Sequence, residues 1–176
     1  MLRRLWSDWV LPLLIAVALA LVIRSYVAEA RVIPSGSMEP TIQIGDRVIV
    51  QKLFFNPNQL RRGDVIVFWA PPGVSHGVPL IKRVIGLPGD RVEVRGGTVY
   101  VNGQPLNEPY IKAKPKIDFE PPVLVPPGNL FMMGDNRNNS FDSRNWGYAS
   151  FSGAIGKADL IYWPLAHFGK INGEPG

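Results

Sequence analysis

Hydrophobic positions fall into two regimes along this chain. From Trp9 to Ile23 the sequence reads WVLPLLIAVALALVI, without a single charge. After residue 45 the pattern changes to short β-branched runs set off by glycine, aspartate and proline. Gly45-Asp46 precedes Arg47 to Lys52, and Arg62-Gly63-Asp64 precedes Val65 to Trp69, so each Gly-Asp turn leads into a predicted strand. Leu80 to Ile85 is a further strand, stopped by Gly86-Leu87-Pro88-Gly89-Asp90. Val92 to Gly103 alternates on both sides of Gly96-Gly97 and predicts a hairpin. Asn129 to Met133 and Gly156 to Trp163 complete the strands. Residues 71–79 read as a loop, the proline-rich stretch 107–127 has no assignable period, and the tail from Gly169 reads as frayed. Many short strands with regular turns predict a mainly β fold, compact and mostly antiparallel.

The apolar run has two readings. Extended from Trp9 through Val27, with Arg24 snorkelling to the interface, it nearly spans a hydrocarbon core of ~30 Å. Trp6 and Trp9 then mark one interface and Tyr26 the other, with Pro12 tolerated near the helix start. Alternatively Arg3 and Arg4 head a secretory signal, with Ala28-Glu29-Ala30 as its cleavage site. The length of the run, and Arg24 and Tyr26 before the site, favour a retained transmembrane anchor. Arg3 and Arg4 on one flank are balanced by Arg24 and Arg31 on the other, so flanking charge does not orient it. The expected organisation is residues 1–8 ahead of the anchor, 9–28 anchor, 29–168 folded domain, and 169–176 flexible tail.

Composition narrows the chemistry. The 176 residues carry a net charge of +5, and none is cysteine, which excludes disulfides, cysteine nucleophiles and thiolate metal sites. No dense Lys/Arg block with interleaved aromatics points to nucleic acid. The charge beside the apolar run suits anionic lipid. With 18 glycines and 17 prolines, turns are frequent.

Four stretches are candidates for chemistry. Gly73-Val74-Ser75-His76-Gly77 matches G-x-S-x-G, but prolines stand where a strand and a helix are required; His76 reads as a solvated loop residue and His167 as a packing or surface residue. Asp135 to Asn139 opens like a calcium loop yet lacks its glycine and its terminal glutamate, and Asn138-Asn139-Ser140 is a weak glycosylation sequon. Ile33-Pro34-Ser35-Gly36-Ser37-Met38-Glu39-Pro40-Thr41 holds Ser37 on a turn braced by two prolines. It is a plain loop, or a place where a hydroxyl is aimed. Strand alternation sets Lys82 between Leu80 and Val84 on one face; it snorkels from an edge, or it is desolvated and becomes a general base for a serine. Arg83 faces the other way, as a surface or structural charge. Gly134 to Arg144 contains one apolar residue, and is either a mobile surface loop or a hydrogen-bonded platform in which Asp142 and Arg144 pair.

Taken together, the Ile33–Thr41, Arg62–Phe68, Lys82–Asp90 and Gly134–Arg144 stretches, in this order after an apolar span, resemble bacterial type I signal peptidases. The resemblance implies a signal-peptidase or self-cleaving-repressor-like β fold and a serine endopeptidase with a Ser/Lys dyad. Ser37 would be nucleophile and Lys82 general base. The Ser35 hydroxyl and the Ser37 N–H would form the oxyanion hole. Ser140 would help orient the lysine, Asp142 and Arg144 would pair, and Asp135 and Asn136 would support them. Ile33, Pro34, Met38, Ile42, Leu80 and Ile81 would contact substrate, with Val48 and Val67 deeper. No metal or cofactor is implied. The partners would be signal-peptide-bearing preproteins and membrane lipid, and the location the bacterial plasma membrane, crossed once, with cleavage on the extracytoplasmic face after small residues at −1 and −3. Arg31 departs from an apolar residue in some members, and Asn138 from an aspartate. Two other readings remain: a self-cleaving Ser/Lys protease, and an anchored non-catalytic β domain that binds exported chains.

Overall fold

The structure is a computed structural model that describes residues 9–22, 27–53, 55–75 and 77–171. The expectations placed on Arg3, Arg4, Trp6, Arg24, Tyr26, His76 and residues 172–176 lie outside the described residues. Helix α1 runs Leu11–Val22, and Leu11, Leu13, Leu14, Ile15, Leu19 and Leu21 are all exposed. At 1.5 Å per residue its 12 residues span about 18 Å. No helix among the described residues is long and apolar enough to cross a membrane.

The β-branched runs form strands for the reason their pattern implies: alternate side chains enter a core while turns satisfy the chain ends. The strands are β1 (Ala28–Val32), β2 (Arg47–Gln51), β3 (Val65–Phe68), β4 (Leu80–Gly86), β5 (Arg91–Arg95), β6 (Thr98–Val101), β7 (Gln104–Pro105), β8 (Phe119–Leu124) and β9 (Asn129–Met133). A short helix α2 (Ser143–Trp146) precedes β10 (Ala149–Ser150), β11 (Ala154–Trp163) and β12 (Gly169–Lys170). Seven strands lie in the order β1-β2-β11-β3-β4-β9-β10, with β12 also paired to β11. A second sheet has the order β7-β6-β5-β8. All strand pairs are antiparallel. Gly96 and Gly97, at φ 56° and 71°, make the hairpin turn that the sequence predicts.

Three elements differ from expectation. β8 arises inside the unassigned 107–127 stretch despite Pro121 and Pro122. It is an edge strand, where a missing N–H is tolerated. β1 was not foreseen as a strand, and it begins at Ala28, inside the stretch assigned to the anchor. The tail does not fray at Gly169: β12 pairs with Leu160 and Ile161, and Ile171 is buried in the main core, a gain that only the tertiary fold supplies.

The core has three clusters. One gathers Ile33, Met38, Ile42, Val48, Val67 and Ile81. Another joins the sheets through Ile85, Val92, Val94, Phe131 and Met133. The third holds Ile66, Phe68, Val84, Leu130 and Met132. The first lies directly behind the proline-braced turn, because Met38 belongs to both.

Candidate active site

Ser35 is extended and exposed, and Gly36–Met38 form one 3-10 turn closed by Glu39 N–H donating to Gly36 O. Met38 is fully buried and anchors this turn to the core. Ser37, one residue earlier, is thereby held on the wall of the fold with 8% of its surface exposed. From the neighbouring strand β4, Lys82 is 3% exposed, and its Nζ donates to Ser37 Oγ over 2.6 Å and to Ile81 O over 3.1 Å. The two residues stand 45 positions apart in the chain and meet because β4 passes beside the turn.

Burial sets the charge of this pair. Desolvation penalises the ammonium and lowers the Lys82 pKa to about 8, while Asp142 and Asp135 partly restore it. An amine titrating there is neutral in a useful fraction near neutral pH and can accept the hydroxyl proton of Ser37. The lysine is thus desolvated rather than snorkelling.

The polar loop is a platform, with Asp135, Arg137 and Asp142 buried. Asn136 holds the serine turn twice: its N–H donates to Ser37 O over 3.1 Å, and its side-chain amide to Gly36 O over 3.0 Å. Arg144 Nε and Nη2 each donate to Asp142 over 2.8 Å, and Asp142 also accepts from Gly134 N–H over 3.0 Å. Asp142 caps α2 as well, in a reciprocal arrangement with Asn145. Ser140 is packed against Gly134. A methyl group on Gly134 would overlap Ser140 Oγ and Ser37 O. Ser140 Oγ is buried without a hydrogen-bond partner among the described residues, so it does not contact Lys82 through such a bond.

Several further residues support the site, some of them undecided or unassigned in the sequence. Arg83 is buried, and its Nε and Nη2 grip Asp135 over 2.8 and 2.6 Å, so it is a structural and not a surface charge. Asp135 also accepts from Thr41 Oγ1 over 2.6 Å, which ties the end of the serine turn to this ion pair. Tyr110 lies over the Arg83 guanidinium at 3.9 Å, its phenol pKa pushed up by burial and by Glu108 beside it. Arg137 pairs with Glu108. Glu108 and Tyr110 come from the unassigned stretch, whose proline-rich pattern carries no sign of this destination. His167, partly exposed, hydrogen-bonds the buried Asp46, its Nδ1 2.8 Å from Oδ1.

A cleft of about 300 Å³ opens between β1 and the start of β4, lined by Ile33, Pro34, Val67, Val78, Leu80 and Ile81, with Glu29 to Val32 along one side. Of the expected substrate contacts, Ile33, Pro34, Val67, Leu80 and Ile81 line it. Met38, Ile42 and Val48 do not; they are wholly buried in the cluster that Ile33, Val67 and Ile81 share with them. Among the described residues no group of His, Cys, Asp and Glu side chains is placed to hold a metal ion.

Comparison with known proteins adds a second line of evidence. The sequence model of the family described as signal peptidase, peptidase S26, matches residues 6–163. Signal peptidase I of Leptolyngbya laminosa is 46% identical over 166 residues, covering 92% of this chain and 81% of that protein. Signal peptidase I of Bacillus caldolyticus is 38% identical over 170 residues, covering 89% of this chain and 91% of that protein. Thylakoidal processing peptidase 1 of Arabidopsis thaliana is 38% identical over 157 residues, covering 85% of this chain but 46% of that protein.

Proposed function

The chain belongs to the signal peptidase family, peptidase S26, and its activity is that of a signal peptidase I, a serine endopeptidase; from that premise we propose that Ser37 is the nucleophile and Lys82 the general base. The observation that carries this reading is the buried 2.6 Å contact between Lys82 Nζ and Ser37 Oγ. Neutral Lys82 takes the hydroxyl proton as Ser37 attacks the scissile carbonyl. The Ser35 hydroxyl and the Ser37 N–H receive the oxyanion. The lysine returns its proton to the leaving amine, and water, activated by the same amine, hydrolyses the ester. Ser140, its hydroxyl buried against Gly134 near Ser37 O, packs the platform behind the serine turn. Asn136, the Asp142–Arg144 pair and the Asp135–Arg83 pair keep the serine turn fixed.

The cleft supports the substrate reading. β1 is the terminal strand of its sheet, so an extended peptide can add beside it and present alternate side chains inward. The Ile33, Leu80 and Ile81 walls leave room for small residues at −1 and −3. The substrates are preproteins carrying signal peptides. The exposed apolar side chains of α1 support a membrane anchor preceding the domain. Trp163, Leu165 and Phe168, also exposed, support lipid contact by the domain itself. A single-pass protein of the bacterial plasma membrane, with catalysis on the extracytoplasmic side, accommodates all of these.

The test is cleavage of a preprotein with an Ala-x-Ala site by the purified full chain. Ser37→Ala and Lys82→Ala should each abolish cleavage while circular dichroism stays unchanged. Cleavage at the normal rate by either variant would refute the assigned roles.

A further inference from the structure

The face that β1 shares with Ile33, the residue that follows it, changes character along its length. Ile33, next to the serine turn, is apolar and buried. Two and four residues earlier on the same face stand Arg31 and Glu29, both lining the cleft. Arg31 Nη2 meets Glu29 Oε1 at 2.8 Å, and Lys52 Nζ meets Glu29 Oε2 at 2.6 Å. Two cations therefore share one carboxylate, both of whose oxygens are engaged. Arg31 Nε is buried and has no hydrogen-bond partner among the described residues. The side chain is 28% exposed, so its charge is partly shielded from water yet reachable from the cleft.

We propose that Arg31 makes the outer end of the cleft selective for a carboxylate side chain at position −5 of the substrate. The inference rests on the reading of this cleft as the substrate site. A strand advances about 6.6 Å per two residues, in the peptide as in β1. When −1 and −3 occupy the Ile33 end, the next side chain on the same face is −5, and it reaches the level of Arg31. An Asp or Glu there gives the guanidinium the acceptor that Glu29, shared with Lys52, only partly supplies. A lysine there meets the Arg31 guanidinium, while Glu29, the carboxylate that also lines the cleft, is already engaged by Arg31 and Lys52. The side chain at −4 points away.

The experiment uses the full-length protein in detergent micelles and short soluble peptides with Ala at −1 and −3. They differ only in carrying Asp, Asn or Lys at −5, or the same three at −4. In the wild type, kcat/KM for Asp at −5 should exceed that for Lys by about fivefold, the scale of one partly exposed charge pair. The ratio should approach one in ~1 M salt. In Arg31→Gln it should fall towards one, and in Arg31→Glu below one. Each ratio is read within one enzyme, so a general loss of activity does not affect it. Equal cleavage of the Asp and Lys peptides by wild type would overturn the proposal, as would the same ratio at −4 and −5. Failure to cleave any peptide would overturn the substrate site together with it.

Discussion

At the scale of single residues, Lys82 carries opposing demands. Burial lowers its pKa from 10.5 to about 8, which suits a general base and costs stability. The folded state releases this proton more readily than the unfolded chain, so the penalty is fully present below pH 8. It shrinks as pH rises from 8 and vanishes above 10.5. Two outcomes follow. The rate constant kcat/KM should rise about tenfold per pH unit up to pH 8 and then level, as a pH–rate profile will show; a midpoint near 10.5 would mean an unburied lysine. Lys82→Met should be inactive yet more stable at pH 6, by up to about 3 kcal/mol, with the gain fading at alkaline pH in urea denaturation. Ser35 belongs to the same scale. Its exposed hydroxyl precedes the turn, and Ser35→Ala should lower kcat by roughly 10²–10³ with KM little changed, if it is an oxyanion donor.

At the scale of elements, the serine turn is held in place by the loop between β9 and α2. That loop was legible in sequence only as a choice between mobility and a platform, since polar residues serve both. The platform exists because its charges find partners far away in the chain: Asp135 with Arg83, Asn136 with the backbone of Gly36 and Ser37, and Arg137 with Glu108. The Asp142–Arg144 pair was readable because both partners lie in one motif. Asp135→Ala should strand the buried Arg83 guanidinium and cost about 3–5 kcal/mol, whereas Asp142→Asn, which keeps the shape, should cost less. Thermal unfolding of the two variants, compared with their residual cleavage, separates support of the fold from support of the dyad.

At the scale of the whole molecule, one sheet brings the two ends of the domain together. β1 and β12 lie in the same sheet, and Ile171 is buried in the cluster that holds Met38 and Ile33. Removing residues 169–176 should therefore lower stability by about 2–3 kcal/mol, mainly through the lost burial of Ile171. The shift in urea midpoint measures this; an unchanged midpoint would be the behaviour of a frayed tail. The truncated chain should also lose cleavage activity earlier on heating, because the same cluster supports the serine turn.

The strands β2, β3, β4, β9 and β11, the β5–β6 hairpin and the four ordered motifs were legible in the sequence itself, because alternation of β-branched residues, glycine turns and residue spacing are local properties. The resemblance that those motifs carry also named the dyad. Only the tertiary structure decided that Lys82 is desolvated against Ser37 and that Arg83 is a buried structural charge. Only it recruited Glu108 and Tyr110 from an unpatterned stretch, and separated Met38, Ile42 and Val48 in the core from the residues that line the cleft. Burial and the pairing of charges distant in sequence depend on which surfaces meet when the sheet forms, and no local pattern encodes that meeting.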